Sequence, residues 1–274
     1  MDIELLERIV AGVAARELVP RFGRLAASDI AEKTSEFDVV TVADRAAEAA
    51  ISAAVRARWP ATVVVGEEAG DPDEVVRARL RSESALVLDP LDGTKNFVSG
   101  LPLFAVMVAT MRRGRIVGCV IHDPMTRTSA MAVAGAGAWL RRPGEAAQRL
   151  EVADPMPLGR MEAVAGARFA PEPLRGRLAA NLLKLAGYTW FRCAGHEYRL
   201  AAAGQVHLLC YHRLKPWDHA AGWLLHREAG GFSAHFDGSS FDPGRMTGGL
   251  LCAPDEDSWH DALENVLGLP RPSS

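Results

Sequence analysis

The stretch Leu86-Val87-Leu88-Asp89-Pro90-Leu91-Asp92-Gly93-Thr94 decides how the rest of the chain is read. The apolar run over residues 85–88 predicts a buried strand. It ends on two carboxylates three positions apart, with Pro90 and Gly93 fixing the bend between them. Asp, Pro and Gly are also what an ordinary turn uses, so alone this stretch leaves a plain strand-and-turn reading open. Two other stretches carry the same signature. Val63-Val64-Val65-Gly66-Glu67-Glu68 is again a strand emptying onto acids, and Trp217-Asp218-His219-Ala220-Ala221-Gly222 opens a helical run with another Asp. Together they set Glu67, Glu68, Asp89, Asp92 and Asp218 at element ends, where α/β proteins place their sites. Clustered carboxylates repel one another, and a bound divalent cation relieves that repulsion. An all-oxygen ligand set suits Mg²⁺ or Mn²⁺ rather than zinc.

At 274 residues the chain is long enough for one large domain or two packed halves. Hydrophobic content of 49% and charged content of 24% are those of an ordinary globular protein. A net charge of −3 provides no basic footprint, so no nucleic-acid polymer is expected as a partner. No apolar run is long enough to span a bilayer. The first residues carry Asp2, Glu4 and Glu7 where a secretory signal wants positive charge, so a soluble cytoplasmic location is expected. Cys119, Cys193, Cys210 and Cys252 are widely spaced with no CxxC pair, and read as reduced, buried small hydrophobes.

Ile3, Leu6, Ile9, Val10 and Val13 recur at helical spacing and predict an opening helix that ends near Pro20. Residues 27–37, which include Lys33, read as a loop or loose hairpin. Thr41-Val42-Ala43-Asp44 fits a helix start in which Asp44 is a first-turn acid. The excursion 69–84 reads as solvated, with no chemistry assigned to its charges. Residues 103–111 and 115–121 form a hairpin pattern, continued as a meander through 128–133 and 138–140. The Pro- and Gly-containing stretch 141–159 is the expected boundary between halves 1–145 and 146–274. Beyond it strand and helix alternate: strands at 163–167, 188–193, 206–211 and 250–253, helices at 173–186, 196–203, 217–229 and 256–267. The pattern predicts an α/β fold with helices layered against sheets. Taken alone, Asp218 reads equally as the N-cap of its helix, with Trp217 packing beneath it.

The motifs Gly66-Glu67-Glu68, Asp89-Pro90-Leu91-Asp92-Gly93-Thr94 and Trp217-Asp218-His219-Ala220-Ala221-Gly222 together resemble the inositol monophosphatase family of Mg²⁺-dependent, lithium-sensitive phosphatases. Lys33, Asp38, Val40-Thr41 and Asp44 match that family's early pattern, so the resemblance runs from residue 33 to residue 222. It implies a five-layer α-β-α-β-α sandwich with metals held between the two halves. It also implies that Glu67 and Asp89, with the Leu91 carbonyl, hold a first ion, and that Asp89, Asp92 and Asp218 hold a second. Glu68 would support a third. Mn²⁺ is expected to substitute for Mg²⁺, and Li⁺ and Ca²⁺ to inhibit. Thr94, backed by Asp44, would orient and deprotonate the attacking water. Glu67 would share the catalytic role, and Gly93 and Thr94 would offer backbone N–H groups to the phosphate. A homodimer is expected from the same resemblance, and no covalent phosphoenzyme.

The substrate rim departs from the family pattern. Gly195-His196-Glu197-Tyr198 stands where many inositol-type members have Gly and then small residues. Tyr211 occupies the position, seven before Asp218, where those members often have an acid. Gly195, His196, Glu197 and Tyr211 are therefore the candidate substrate contacts, with Glu197 the residue that could restore the missing carboxylate. Lys95 after Thr94 is closer to the bisphosphate-nucleotidase and histidinol-phosphatase branches. The reading is a phosphomonoesterase for a small polyol or sugar phosphate such as inositol monophosphate. Histidinol phosphate and 3′(2′),5′-bisphosphate nucleotides are alternatives, and a catalytically inactive phosphate-binding relative is the rival from another class.

Overall fold

The computed structural model describes residues 1–35, 38–167 and 169–272, with the side chains of 33–35 and 38 outside that set. The Lys33 and Asp38 side chains of the early motif therefore lie outside the described residues. The chain opens with α1 (Ile3–Val13), a hairpin of β1 (Ile30–Ser35) and β2 (Asp38–Thr41), α2 (Val42–Arg58), β3 (Val63–Gly66) and α3 (Asp73–Leu80). Next come β4 (Ala85–Asp92), α4 (Thr94–Val98), β5 (Ala105–Arg112), β6 (Arg115–Asp123), β7 (Thr128–Val133), β8 (Gly137–Arg141) and β9 (Gln148–Arg149). The remainder is β10 (Glu162–Ala165), α5 (Leu174–Asn181), β11 (Gly187–Thr189), α6 (Ala194–Ala202) and β12 (Leu208–Tyr211), then α7 (Pro216–Glu228), β13 (Phe232–His235), β14 (Leu250–Ala253) and α8 (Glu256–Asn265).

Among the described residues, β3 to β9 form a seven-stranded sheet in chain order, and a five-stranded sheet runs β11-β10-β12-β14-β13. Side-chain alternation explains the layers. On the large sheet Leu86, Leu88, Val106, Val108, Val120 and Met131 pack under α1 and α2. Their neighbours Val87, Met107, Ala109, Cys119, Ile121 and Ala130 face the other way, onto α6 and α7. Those two helices are covered in turn by Val164, Leu209, Leu250 and Cys252 of the small sheet. That sheet's opposite face, Ala163, Leu208, Cys210 and Leu251, packs with Leu178, Trp259 and Leu263 of α5 and α8. The result is the five-layer α-β-α-β-α sandwich. Both sheets are buried on both faces, so their strands read as near-continuous apolar runs.

Several elements differ from expectation. Strand β13 went unforeseen because Phe-Ser-Ala-His has little apolar signal, yet it closes the small sheet against β14. The expected strand over 188–193 stops at Thr189. Beyond it, the Phe191 N–H donates to Glu197 Oε1 at 3.1 Å and the Phe191 carbonyl accepts from Asn96 Nδ2 at 2.8 Å, which takes that backbone out of the ladder. Asp218 is not the N-cap of α7. Lys215 holds that position and Pro216 is the first helical residue, its fixed φ suiting the first turn. The 69–84 excursion is not wholly solvated: Asp73 Oδ1 pairs with Lys215 Nζ at 3.1 Å, tying α3 to the loop before α7. No helix among the described residues is long and apolar enough to cross a membrane. All four cysteines are buried and unpaired.

Candidate active site and metal centre

Strand register brings the acids together. β3 and β4 run parallel with Gly66 opposite Leu88, so the residue after each, Glu67 and Asp89, falls side by side. On β4 three steps from Asp89 to Asp92 face two steps from Met107 to Ala105 on β5, which marks a one-residue bulge. Pro90 sits in it, where no ladder N–H is needed. The chain then turns through Gly93, whose φ of 87° is left-handed. A Cβ there would lie 2.8 Å from the Leu103 carbonyl oxygen, so no other residue fits the turn. Asp218 arrives in the first turn of α7, between the two sheets.

Glu67, Asp89 and Asp218 each present a carboxylate oxygen within 4.8 Å of one another. Asp89 is buried, and its Oδ1 accepts the Leu91 N–H at 2.9 Å. Burial first, then the charges of Glu67, Asp92 and Asp218, push its carboxyl well above the ordinary range. Asp92 is also raised, to about 6, chiefly by burial. Its Oδ2 accepts the Gly195 N–H at 2.6 Å and the Cys193 thiol at 3.1 Å. The cluster is thus a group of oxygen donors in which Asp89 is buried and Glu67 and Asp218 are half-buried.

Beside it stands a hydroxyl–carboxylate relay. Thr94 Oγ1 lies 2.9 Å from both Asp44 Oδ1 and the Leu91 carbonyl. Asp44 is the third residue of α2. Its Oδ2 accepts from the Thr41 N–H at 2.8 Å and the Thr41 hydroxyl at 2.5 Å, completing the capping box legible in Thr41-Val42-Ala43-Asp44. One side chain therefore both caps the helix and faces Thr94. Burial, the largest influence on Asp44, raises its carboxyl.

Glu67, Asp89, Leu91, Asp92, Gly93, Thr94 and Asp218 line one cavity of about 540 Å³, together with Lys95, Glu197 and Tyr211. Glu197 and Tyr211 meet each other: the Tyr211 hydroxyl donates to Glu197 Oε2 at 2.9 Å. Burial raises Glu197 to about 8. Two expected substrate contacts lie elsewhere. His196 turns away from the cavity, its Nε2 3.2 Å from the Phe104 carbonyl, because α6 carries it to the face packed on the large sheet. Gly195 serves Asp92 rather than a ligand, and a Cβ on it would stand 2.8 Å from that of Ala105. Glu68 does not join the three-oxygen group; its N–H donates to Glu48 Oε2 at 2.9 Å.

Other residues of the site went unread in the sequence. Glu48 fills the space where a Cβ on Gly66 would sit and so fixes the Gly66-Glu67-Glu68 turn. Its signal was the i,i+4 spacing from Asp44 on α2. Asn96 ties the Leu103 and Phe191 carbonyls together at 2.8 Å each. Phe169, Trp190 and Arg192 form the cavity's outer wall, and no spacing rule points to them.

Known proteins agree with this architecture. The inositol monophosphatase family profile matches residues 3–267. A Nus factor SuhB of Pseudomonas aeruginosa is 36% identical over 241 residues, 84% of either chain. An inositol-1-monophosphatase of Caulobacter vibrioides is 32% identical over 258 residues, 92% of this chain and 96% of its own. Among solved structures, the Bartonella henselae extragenic suppressor protein SuhB superposes with a TM-score of 0.80 at 26% identity, covering 97% of this chain and 98% of its own. A Thermotoga maritima IMPase shares the fold with a TM-score of 0.81 at 24% identity, covering 97% and 96%. The chain belongs to the inositol monophosphatase family.

Proposed function

We propose that the protein is a Mg²⁺-dependent phosphomonoesterase that hydrolyses a small phosphate ester by direct attack of water. The observation that carries this reading is the convergence of Glu67, Asp89 and Asp218, from three separate elements, within 4.8 Å. Such a group is penalised while it stands alone, as the raised Asp89 carboxyl reflects. Its all-oxygen donors fit Mg²⁺ or Mn²⁺. Glu67, Asp89, the Leu91 carbonyl, Asp218 and the remaining oxygen of Asp92 would hold two ions, with Glu68 further out for a third. When bound, divalent ions supply positive charge to the phosphate and to the departing oxygen.

The chain's own groups move the proton. A water bonded to Thr94 Oγ1 passes a proton to that oxygen while Thr94 gives its own to Asp44 Oδ1. Raising Asp44 by burial favours its acceptance. The water oxygen then bonds to phosphorus in line as the ester P–O bond breaks; the departing alkoxide takes a proton from solvent and leaves as the alcohol, and Asp44 returns its proton to solvent. The Gly93 and Thr94 N–H groups, at the turn into α4, are the donors for the phosphate oxygens. No cysteine takes part, since burial raises Cys193 far above the range in which a thiolate forms. A homodimer in the cytoplasm completes the reading.

The substrate proposed from the family is a small polyol phosphate such as inositol monophosphate, with histidinol phosphate and bisphosphate nucleotides as alternatives. The Caulobacter relative's name supports the phosphatase. The Nus factor name of the Pseudomonas relative supports a second reading, a binding role, which the intact carboxylate set disfavours as the sole one. Release of inorganic phosphate from a panel of these esters tests the proposal. Release that needs Mg²⁺, is lost with EDTA and falls steeply in Asp92→Asn is expected. No release from any ester would overturn it.

A further inference from the structure

His219 follows Asp218 directly and takes no part in the proposed reaction, yet it is only 2% exposed. Its Nε2 lies 2.9 Å from the Arg213 carbonyl oxygen and its Nδ1 3.1 Å from the Tyr198 hydroxyl. A carbonyl can only accept, so Nε2 carries the ring proton and Nδ1 accepts from the tyrosine. Both nitrogens are engaged by protein, which leaves neither to hold a metal or to take a proton from a ligand.

The start of α7 needs such a hold. The first N–H groups of a helix have no partner within it, and a side-chain acceptor at the N-cap usually supplies one. Lys215 stands at that position and makes no side-chain cap. Its ammonium can only donate, and it goes to Asp73 Oδ1 at 3.1 Å. The bond from His219 Nε2 back to the Arg213 carbonyl ties the entry loop to the first turn instead. From α6, the fully buried Tyr198 lays its ring against the α7 backbone at Gly222, where a Cβ would overlap it. His219 and Gly222 are three residues apart and share one face of the helix, so Tyr198 meets both. The Tyr211 ring packs on His219 from β12, with centroids 4.6 Å apart.

Successive helix residues step by about 100°, so fixing the face of His219 and Gly222 fixes the direction in which Asp218 leaves the helix. A binding constellation tolerates errors of only about 0.5 Å or 10–20°. We infer that His219, latched between the Arg213 carbonyl and the Tyr198 hydroxyl, is a positioning residue that sets the Asp218 carboxylate against Glu67 and Asp89. It acts through Asp218 rather than on the ester. The inference rests on the reading of Asp218 as a metal ligand.

Calorimetric titration of the metal-free protein with Mn²⁺ tests it. His219→Phe keeps a ring and loses both hydrogen bonds, and should bind Mn²⁺ about tenfold more weakly or worse, the scale of losing a partner that orients a ligand. Tyr198→Phe removes a single oxygen and should weaken binding about threefold, since half of the latch remains. His219→Gln, whose amide nitrogen can reach toward the Arg213 carbonyl, should recover to within about threefold of wild type. In an Asp218→Asn background, His219→Phe should add less than about twofold to the loss, because nothing is left to position. Ser233→Ala strips the partner, at 2.9 Å, of His226 at the far end of the same helix. It loosens α7 without touching the latch and should leave Mn²⁺ affinity unchanged. Wild-type affinity in His219→Phe or Tyr198→Phe, equal weakening by Ser233→Ala, or losses that multiply fully in the double variant overturn the inference and leave Asp218 a ligand. A wild-type protein that binds no Mn²⁺ overturns the metal-dependent phosphatase, and the inference with it.

Discussion

The floor and the outer wall of the cavity are built by opposite rules. The floor gathers like charges that destabilise one another, on strand ends and helix starts whose positions the large sheet fixes. The wall gathers aromatic and cationic side chains on loops of the small sheet, held by backbone hydrogen bonds at Phe191. Mutual repulsion among the floor acids favours a bound cation, whereas the wall presents the exposed rings of Phe169 and Trp190. On the proposed reading the floor governs whether reaction happens.

The largest effect expected is on the floor. Asp89→Asn should lower kcat by about 1,000-fold or more, the scale of losing a group that stabilises transition-state charge. It should leave the metal-free protein no less stable, because it removes a buried repelling charge. A lower melting temperature for that variant without metal would contradict the account of a strained cluster. Thr94→Ala and Asp44→Asn should each cost about 100-fold or more in kcat, the range of a lost proton-transfer group. Steady-state rates would show this with KM changed much less than kcat.

The pH dependence sharpens the contrast. Burial and mutual repulsion raise Asp89, and raise Asp92 to about 6, above the value of about 3.9 in an unfolded chain. The folded metal-free protein then holds more protons than the unfolded chain from about pH 4 up through those raised values. Its stability falls as pH rises across that window. A divalent ion displaces these protons, so its stabilising effect should be larger at pH 8 than at pH 5. With free ion at 100 times Kd the added stability is about 2.7 kcal/mol. Thermal melts with and without Mg²⁺ at the two pH values measure it, and an equal shift at both would count against the cluster as the binding site.

On the wall, Tyr211→Phe leaves Glu197 Oε2 buried without its donor and should cost about 1–3 kcal/mol of stability. Denaturant unfolding reads that loss, and kcat should fall less than tenfold. Smallest of all, Asp255→Ala removes the cap that accepts the Ser258 N–H at 2.8 Å on α8. A loss of about 1 kcal/mol with kcat unaltered is expected, and a fall in kcat would mean that the outer helix layer couples to the site.

The same division explains what could be read without coordinates. Asp89, Asp92, Glu67 and Asp218 were legible because the chemistry needs acids at the ends of apolar runs, and such ends show in a linear pattern. The layering of helices on sheets was legible from the alternation of strand and helix patterns, and the five layers only from the family resemblance. Trp190, Phe169 and Arg192 were not legible. They meet only because β11, β10 and β12 pair side by side, and an isolated Trp in a sequence looks like core. His196 was misplaced since its neighbours could not reveal which side of α6 faces the large sheet. Strand β13 escaped because its pairing with β14, rather than its own residues, makes it a strand.

The most direct measurement is a calorimetric titration of the metal-free protein with Mn²⁺ at pH 7.5, alongside Asp89→Asn and Asp218→Asn. Saturable binding by the wild type, weakened at least tenfold in both variants, is the expected result. Binding that is absent from the wild type, or identical in all three proteins, would contradict the claim that these acids converge to hold a cation.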